Sequence, residues 1–489
     1  MEGVLPGHLT TSRAIPAALT AVLALLVVHA AISGCDHDEI EHLHAAWLVS
    51  QGQRPFTDFL EQHHPTVWYL LAPVARSFEG RPRQFVFAAR CIDLALAAVS
   101  VAAFTAMARK LLRGPASNWP ALLLAGCFFF LRDSMEVRPD PWMAALAGIE
   151  LWQWTTFLRR GSLGSAAWAG LASGGSIAFL QKGIPYVGLL GLGTALVLGR
   201  NRRRWISAVP GASVFAACAI VPLASLALWQ WRAGTFQDFW FWNYTYNAFY
   251  YLHTNFPGPS AWTTTAVALA EDPLLWGAAL FGLGSALIRP LQAEPEIVLS
   301  TAVVCGMLAA FFRSRWPFGH NLLLLHVPLA LLAVRPIENM LASPRLRGAA
   351  LALLALLLLK VAVLSFVYDE NAGSDAIRRK VLASTTPGDP VAVTPPYHPV
   401  FRRDSFFLWY GEQYNSAAYL DFCRQRHCPE RKVDHDLRAW TVDPPRVVYC
   451  PPGHPDKTPP GFADHQSDYQ SIGSGFWERS TTSGRRGLR

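Results

Sequence analysis

The chain has 489 residues and a formal net charge of +8, yet only 16% of its residues are charged and 52% are hydrophobic. Its mean hydropathy is +0.22, and soluble domains carry about a quarter charged residues, so an ordinary soluble protein is excluded. Much of the basic charge lies in short turns between apolar runs, which is typical of membrane topology determinants and excludes a nucleic-acid partner.

Apolar runs long enough to cross a bilayer recur along the first three quarters of the chain. The first run is preceded by Arg13, and no small-residue cleavage pattern comes before Cys35, which favours an uncleaved helix. The runs predict about eleven transmembrane helices, at 14–34, 84–108, 117–132, 140–158, 164–181, 183–199, 205–231, 273–288, 296–312, 319–334 and 348–367.

The basic residues of alternate turns predict the orientation. One set of turns holds thirteen Lys and Arg and the other holds five, so the first set is predicted to face the cytoplasm. The segment after Cys35, the loop 232–272 and the tail from about Tyr368 are then predicted to lie outside. The thirteen are Arg109, Lys110, Arg113, Arg159, Arg160, Arg200, Arg202, Arg203, Arg204, Arg289, Arg335, Arg345 and Arg347; the five are Arg132, Arg138, Lys182, Arg313 and Arg315.

The first outer segment, 35–83, has helical patterning of its own. Residues 38–51 predict an interfacial helix with Asp38, Glu41, His42 and Ala45 on one face. A turn follows at 52–55. Residues 59–78 predict a second interfacial helix, with Pro65 near its start and Trp68 and Tyr69 as interface anchors.

The tail, 368–489, is predicted to be a small α/β-like periplasmic region. Val391–Val393 and Arg446–Tyr449 predict short strands, and the stretches 451–460 and beyond Ser467 are expected to be poorly ordered. Cys423 and Cys428 can close a small loop if that side is oxidising. The fold class is therefore an all-α polytopic membrane protein, with a transmembrane domain over 1–367 and a tail over 368–489.

The outer loop 232–272 is rich in aromatic residues between Phe239 and Tyr251. Rings in such a loop stack on a sugar, cover a lipid entrance or form an interfacial aromatic belt. We expect a mobile cover over a cavity.

Motifs on the predicted outer side resemble those of the GT-C superfamily of membrane glycosyltransferases, in particular the protein-mannosyltransferase-like and aminoarabinose-transferase-like group. The resemblance covers roughly residues 14–367, and it depends on the order of the motifs rather than on any single one. They are Asp38-Glu39, His44-Ala45-Ala46-Trp47, Gly52, Pro55-Phe56-Thr57-Asp58-Phe59, His63-His64-Pro65-Thr66-Val67-Trp68-Tyr69, Val137-Arg138-Pro139-Asp140-Pro141, Gln181-Lys182-Gly183 and Pro317-Phe318-Gly319-His320.

The resemblance implies an inverting transfer of a sugar from a polyprenyl-phosphate donor, on the periplasmic face of a bacterial inner membrane. A cell-envelope acceptor such as lipopolysaccharide is expected rather than a protein. A lipid or polysaccharide transporter or flippase is the alternative, although inverted repeats and broken midplane helices are not evident. An inactive scaffold is disfavoured because Asp38, Asp140 and Lys182 occur together.

The resemblance also implies catalytic roles for the acids Asp38, Glu39 and Asp140. Asp38, the first acid of the Asp38-Glu39 pair, is the candidate general base, with Asp36 as the alternative. The alternative for Asp38 is that it only caps the interfacial helix, since aspartate is a favoured N-cap residue. Asp140 is expected to shape the site, or else to act as a favourable charge at a helix N-terminus.

The remaining predicted site residues bind substrate. Lys182 is expected to contact the donor phosphate, unless it only extends towards the membrane surface. Some of the other cations share that role, while polar groups of the first loop line the cavity. The predicted substrate-binding residues are Arg138, Lys182, Arg313, Arg315, His320, His63, His64 and Tyr69.

The first loop places His37, His42, His44, His63 and His64 near several carboxylates. Imidazole with carboxylate can bind a divalent metal, but no tight metal-binding motif is present. We therefore expect no cofactor, with a divalent metal as the alternative.

Overall fold

The computed structural model describes residues 14–113, 118–199, 202–253, 258–289, 292–367, 373–409, 422, 425, 439–453, 458–459 and 461–480. Cys423 and Cys428 lie outside the described residues.

The chain forms two compact units. Unit 1 comprises Met1–Ser33, Arg90–Leu228 and Phe256–Tyr368, and unit 2 comprises Gly34–Ala89, Trp229–Asn255 and Asp369–Arg489. The division into 1–367 and 368–489 stays a sequence-based prediction.

Helices dominate the described chain, as predicted for the fold class. They are α1 Ala14–Ile32, α2 His37–Ser50, α3 Thr66–Ser77, α4 Pro82–Leu111, α5 Trp119–Ala125, α6 Phe128–Met135, α7 Pro139–Arg160, α8 Leu163–Phe179, α9 Gly183–Gly199, α10 Arg202–Arg232, α11 Phe236–Trp240, α12 Asn247–His253, α13 Ala261–Glu271, α14 Pro273–Ile288, α15 Pro295–Arg313, α16 His326–Ala342, α17 Arg347–Val367, α18 Ser374–Ala383 and α19 Phe462–His465. A π-helical segment, Phe241–Tyr246, joins α11 to α12, and a 3₁₀ segment, Gly319–Leu325, precedes α16.

Among the described residues, six helical spans are long and apolar enough to cross a membrane, or seven if α13 and α14, bent by 109°, count as one. The chain is therefore a multi-pass membrane protein, but the predicted count of about eleven is not confirmed. One predicted run, 117–132, is divided into α5 and α6, because Cys127 caps a new helix by accepting a hydrogen bond from Phe130 N. Helices α8 and α9 have only 17 residues each.

Unit 1 is a helical bundle in which small residues bring helices close together. Gly170 and Gly174 of α8 lie one turn apart, and a Cβ added to them would lie 2.2 Å and 2.0 Å from the carbonyl oxygens of Phe215 and Ala219 in α10. No side chain fits there, so these two glycines allow the α8 and α10 backbones to touch, as small residues do in membrane helix pairs.

Unit 2 contains the predicted interfacial helices α2 and α3. Nearly every side chain of α2 between Glu39 and Leu48 is buried, so α2 packs within protein on all sides. The prediction that Trp68 is an interface anchor was wrong. Its ring is fully buried, and its Nε1 donates to His42 Nδ1 at 3.1 Å, because the α2–α3 packing needs a large side chain with one polar group.

Unit 2 also contains a five-stranded sheet of β1 Pro390–Ala392, β2 Arg403–Asp404, β3 Val447–Tyr449, β4 Tyr469–Gly473 and β5 Phe476–Arg479, in the order β2-β1-β3-β5-β4. Strands β1 and β3 fall where the sequence predicts strands. The expectation of poor order beyond Ser467 was wrong for β4 and β5. These strands pair antiparallel, and their residues Tyr469 and Phe476 are buried.

The aromatic segment that begins the loop 232–272 is helical and belongs to unit 2. The rings of Phe239, Trp242, Tyr246 and Tyr250 are buried, so they serve as core rather than as an exposed platform for a sugar. Trp240 is 54% exposed. That the segment acts as a mobile cover stays a prediction.

Candidate functional site

The N-terminus of α2 separates the two acids that the sequence offers as caps. Asp36 is the N-cap, and its Oδ2 accepts a hydrogen bond from Asp38 N at 3.2 Å. The interpretation of Asp38 as the cap was therefore wrong. Asp38 lies in the first turn, and its side chain is partly exposed.

Asp38 belongs to a cluster of acids and histidines within unit 2. The ligand atoms of His37, Asp38 and Glu41 lie within 4.8 Å of one another. Glu41 in turn contacts the carboxyl group of Glu61. Because Asp38 and Glu41 are three residues apart, one helix face presents both.

Burial and neighbouring charge control the protonation of this cluster. Burial raises the pKa of Glu41 well above its usual range, and the charges of Glu61 and Asp38 add to the effect. Burial also raises the pKa of Glu61 to about 7, although hydrogen bonds from Glu41 and from the backbone N–H groups of Gln62 and His63 oppose the shift. The Glu41–Glu61 pair therefore holds a proton near neutral pH, next to Asp38.

The other predicted residues of the first loop take different positions. Glu39 is fully buried. His63 is partly exposed, and its Nδ1 lies 2.7 Å from Glu61 Oε1. His64 is buried, with its ring 5.3 Å from that of Phe239. Tyr69 packs edge-on against Trp229 at 5.3 Å. His63 thus joins the carboxyl cluster, whereas His64 and Tyr69 contact aromatic side chains.

Unit 1 brings together two residues that the sequence singles out separately. Asp140 lies in the first turn of α7, after Pro139 at the start of the helix. Its Oδ1 accepts a hydrogen bond of 3.1 Å from Lys182 Nζ, in the turn between α8 and α9. Asp140 is buried while the Lys182 side chain is 32% exposed. The pair gives the partly accessible Lys182 side chain an acidic partner at the end of an apolar helix.

A second pair of predicted residues also meets in unit 1. Arg138 lies 2.7 Å from His320, measured from Nη1 to Nδ1. Since a guanidinium can only donate, His320 Nδ1 is the acceptor. Arg138 Nε also lies 3.0 Å from Glu136 Oε2. Glu136 thus fixes the guanidinium at the start of α7.

Arg313 and Arg315 do not share this degree of burial. Arg313 is the last residue of α15, and both side chains are exposed. They are less constrained than Arg138 and Lys182, and their predicted role in binding phosphate stays a prediction.

Sequence reasoning missed Glu61 and Glu136 as parts of these clusters. Glu61 lies in the outer segment 35–83 and Glu136 directly precedes the Val137–Pro141 motif, but no sequence pattern marks either as a site residue. The spacing of Asp38 and Glu41 was a usable signal for the first cluster, whereas no local pattern indicates that Glu61 contacts Glu41.

Three sets of described side chains have the composition of a metal site: His42–Glu61–His63, His44–His398–Asp404 and His37–Asp38–Glu41. In the first, His42 Nδ1 accepts from Trp68, so the remaining proton lies on Nε2 and blocks coordination there. In the second, His44 Nε2 and Asp404 Oδ2 already form a hydrogen bond of 2.5 Å, and His398 Nε2 lies 3.1 Å from Asp404 Oδ1. The third offers one nitrogen and two carboxylates, a donor set suited to a divalent cation.

The similarity of this chain to known proteins is found in its fold rather than in its sequence. No family model and no curated protein sequence matches the chain. The structure is similar to that of ArnT from Cupriavidus metallidurans bound to undecaprenyl phosphate, with a TM-score of 0.66 and 14% identity over 96% of this chain and 98% of that one. It is also similar to the oligosaccharyltransferase AglB from Archaeoglobus fulgidus in complex with an inhibitory peptide and a dolichol-phosphate, with a TM-score of 0.54 and 12% identity over 96% of this chain and 75% of that one.

Proposed function

We propose that this chain, which has the GT-C glycosyltransferase fold, is an inverting glycosyltransferase. It would move a sugar from a polyprenyl-phosphate donor to a cell-envelope acceptor. The observation that carries the proposal is the N-terminus of α2. Asp36 caps the helix, and the carboxylate of Asp38 lies beside a carboxyl pair that retains a proton. A fold that binds lipid phosphates in ArnT and AglB supports the donor class.

Asp38 is the general base of this reaction. The acceptor hydroxyl transfers its proton to the Asp38 carboxylate while the acceptor oxygen forms a bond to the anomeric carbon of the sugar. The bond from that carbon to the phosphate oxygen breaks, and polyprenyl phosphate leaves with its electron pair. A single displacement inverts the anomeric centre and forms no sugar–enzyme intermediate.

Cations of unit 1 bind the departing phosphate. Lys182 supplies a partly exposed ammonium held by Asp140, and Arg138 supplies a guanidinium held by Glu136. Preorganised donors of this kind stabilise the negative charge that develops on a leaving group. His320, Arg313 and Arg315 provide further donors, and His63, His64 and Tyr69 contribute to sugar recognition.

The excess of basic residues in alternate turns supports an extracytoplasmic first loop and C-terminal tail in a bacterial inner membrane. The acceptor is then an envelope glycan or lipid, with lipopolysaccharide preferred over protein.

The test is identification of donor and product. Membranes containing the wild-type chain or the Asp38→Asn variant are incubated with polyprenyl-phosphate sugars and extracted envelope glycans, and lipids and glycans are analysed by mass spectrometry. We expect a glycan gaining one sugar mass, together with free polyprenyl phosphate, only with the wild type. Movement of an intact lipid across the membrane without a sugar-mass change would instead support the transporter.

A further inference from the structure

Unit 2 contains a buried polar trio that the proposed reaction does not use. His44 lies on α2, Asp404 on β2, and His398 in the segment between β1 and β2. The His44 and His398 side chains are completely buried and that of Asp404 is 7% exposed. The two imidazole rings and the carboxylate connect α2, which is the helix that contains Asp38, with the C-terminal sheet.

Hydrogen-bond geometry determines where the protons are. His44 Nδ1 lies 2.5 Å from the carbonyl oxygen of Val400, and a carbonyl can only accept, so Nδ1 carries a proton. His44 Nε2 lies 2.5 Å from Asp404 Oδ2. Burial opposes ionisation of Asp404, but the charge of His44 and the hydrogen bonds of the two histidines outweigh it and hold its pKa at about 2. The carboxylate is thus an acceptor too, and both nitrogens of His44 donate.

His398 is the neutral member of the trio. The backbone N–H of Val400 donates to His398 Nδ1 at 3.1 Å, so the single ring proton is on Nε2, which lies 3.1 Å from Asp404 Oδ1. Burial, and then the charge of His44, lower the pKa of His398 to about 4. The trio therefore contains one positive and one negative charge.

A metal ion does not fit this arrangement. Two ligands of a tetrahedral zinc ion with bonds of about 2 Å lie about 3.3 Å apart. The 2.5 Å between His44 Nε2 and Asp404 Oδ2 is instead the length of a short charge-assisted hydrogen bond.

Val400 shows that the arrangement constrains the backbone. Its φ is 68°, in the left-handed region that β-branched residues avoid. Both of its backbone polar groups contact the trio, one at His398 and one at His44. Such a conformation persists where the surroundings determine it.

We propose that the His44 imidazolium and the Asp404 carboxylate form a charged latch through which the C-terminal sheet positions α2, and with it Asp38, for sugar transfer. The inference rests on the proposed function. His44 lies six residues after Asp38, about 9 Å along the helix axis. Apolar packing tolerates small rotations of a helix, whereas a buried ion pair with directed hydrogen bonds favours one orientation. His44 and Asp404 are positioning residues, and the C-terminal region is part of the catalytic apparatus.

Nuclear magnetic resonance tests the latch independently of activity. In the full-length protein with 15N-labelled histidine, His44→Gln assigns the ring signals of His44. We expect two protonated ring nitrogens for His44 in the wild type, and loss of that pattern in Asp404→Asn. A neutral His44 in the wild type, or stoichiometric bound zinc that Asp404→Asn removes, would overturn the proposal.

Kinetics test the consequence for the reaction. Asp404→Leu leaves the His44 charge without its partner, and we expect kcat to fall at least tenfold with the donor KM within twofold of wild type. Asp404→Asn restores much of kcat, because its amide can donate to a neutral His44 Nε2. The matched control is Asp443→Asn, which breaks a well-exposed pair with the neighbouring Arg403 and should leave kcat unchanged.

Wild-type kcat in folded Asp404→Leu would refute the positioning role, as would equal losses in Asp443→Asn. If the wild-type chain transfers no sugar at all, the proposed function fails, while the resonance experiment still decides whether the latch exists.

Discussion

Helices α2 and α7 each carry an aspartate in the first turn, yet the two acids have different surroundings. Asp140 of α7 is buried and paired with Lys182, whereas Asp38 of α2 has intermediate exposure and adjoins the buried Glu41. Asp140 therefore holds the Lys182 ammonium in place, whereas Asp38 presents a partly exposed carboxylate. This difference in surroundings fits the separate roles proposed above for the two acids, support of a phosphate-binding cation for Asp140 and acceptance of a proton for Asp38.

Removing the Asp38 carboxylate should have the largest effect on turnover. Asp38→Asn keeps the size of the side chain but removes the proton acceptor, so we expect turnover to fall by about 10²-fold or more. Donor affinity should be nearly unchanged. Steady-state transfer assays with purified protein measure both quantities.

Asp36→Asn is the matched control for that experiment, because asparagine caps helices about as well as aspartate. It should retain most of the turnover. A larger loss in Asp36→Asn than in Asp38→Asn would move the base to Asp36.

Lys182, the cation paired with Asp140 of α7, should affect the binding of the donor rather than turnover. Lys182→Met removes the ammonium and leaves Asp140 buried without its partner. We expect the donor KM to rise about tenfold, as for loss of about 1.4 kcal/mol of phosphate binding. Lys182→Arg should restore only part of the affinity, because a planar guanidinium does not replace a point charge.

Unchanged donor kinetics in folded Lys182→Met would show that the Asp140–Lys182 pair is structural. Asp140→Asn separates the two roles further, since it keeps the ammonium and removes only its partner. If the lysine binds phosphate, this variant should be milder than Lys182→Met.

Local patterns in the sequence predicted much of the fold. Helical patterning predicted α2 to within one residue at each end and the end of α3 to within one residue, but placed the start of α3 seven residues too early. Short β-branched runs predicted β1 and β3. The count of about eleven spans is not confirmed, and hydropathy alone could not register the break at Cys127 that divides the run 117–132. The orientation of Trp68 was wrong because an aromatic residue near a membrane boundary has the same sequence signature whether it points into protein or towards lipid.

Contacts between distant positions were beyond the sequence. Asp140 and Lys182 were both singled out, but no pattern indicated that residues 42 apart would pair. His44 and Asp404 are 360 residues apart, and neither carries a motif for the other. Such pairs depend on tertiary packing, which a single sequence does not display.

The acids around Asp38 should make stability depend on pH. The pKa of Glu61 is raised to about 7 in the folded state, so its protonated form stabilises the fold. That contribution is complete below the unfolded pKa of about 4.3 and is lost as pH rises through 7, with a total of about 4 kcal/mol. Glu61→Gln should therefore flatten the dependence of the thermal midpoint on pH between 5 and 8.

Glu79→Gln is the control, because Glu79 is exposed in the same unit. Its pH profile should match that of the wild type. A wild-type profile that is already flat over this range would show that the carboxyl pair is not protonated in the folded protein.

Metal removal should have the smallest effect on turnover. It tests whether Asp38 and Glu41 of α2 accept a proton or bind a metal ion. Nitrogen lone pairs of His42 and His398 already accept hydrogen bonds, and both nitrogens of His44 are donors. Of the three sets found among the described residues, His37, Asp38 and Glu41 is therefore the one whose composition suits a cation. A base must present its carboxylate to the acceptor hydroxyl, and an ion bound to Asp38 would lower its basicity. We expect turnover to change by less than twofold after chelation with EDTA and dialysis. A loss of activity that Mn²⁺ or Mg²⁺ restores in the wild type, but not in Glu41→Gln, would assign these residues to a metal instead.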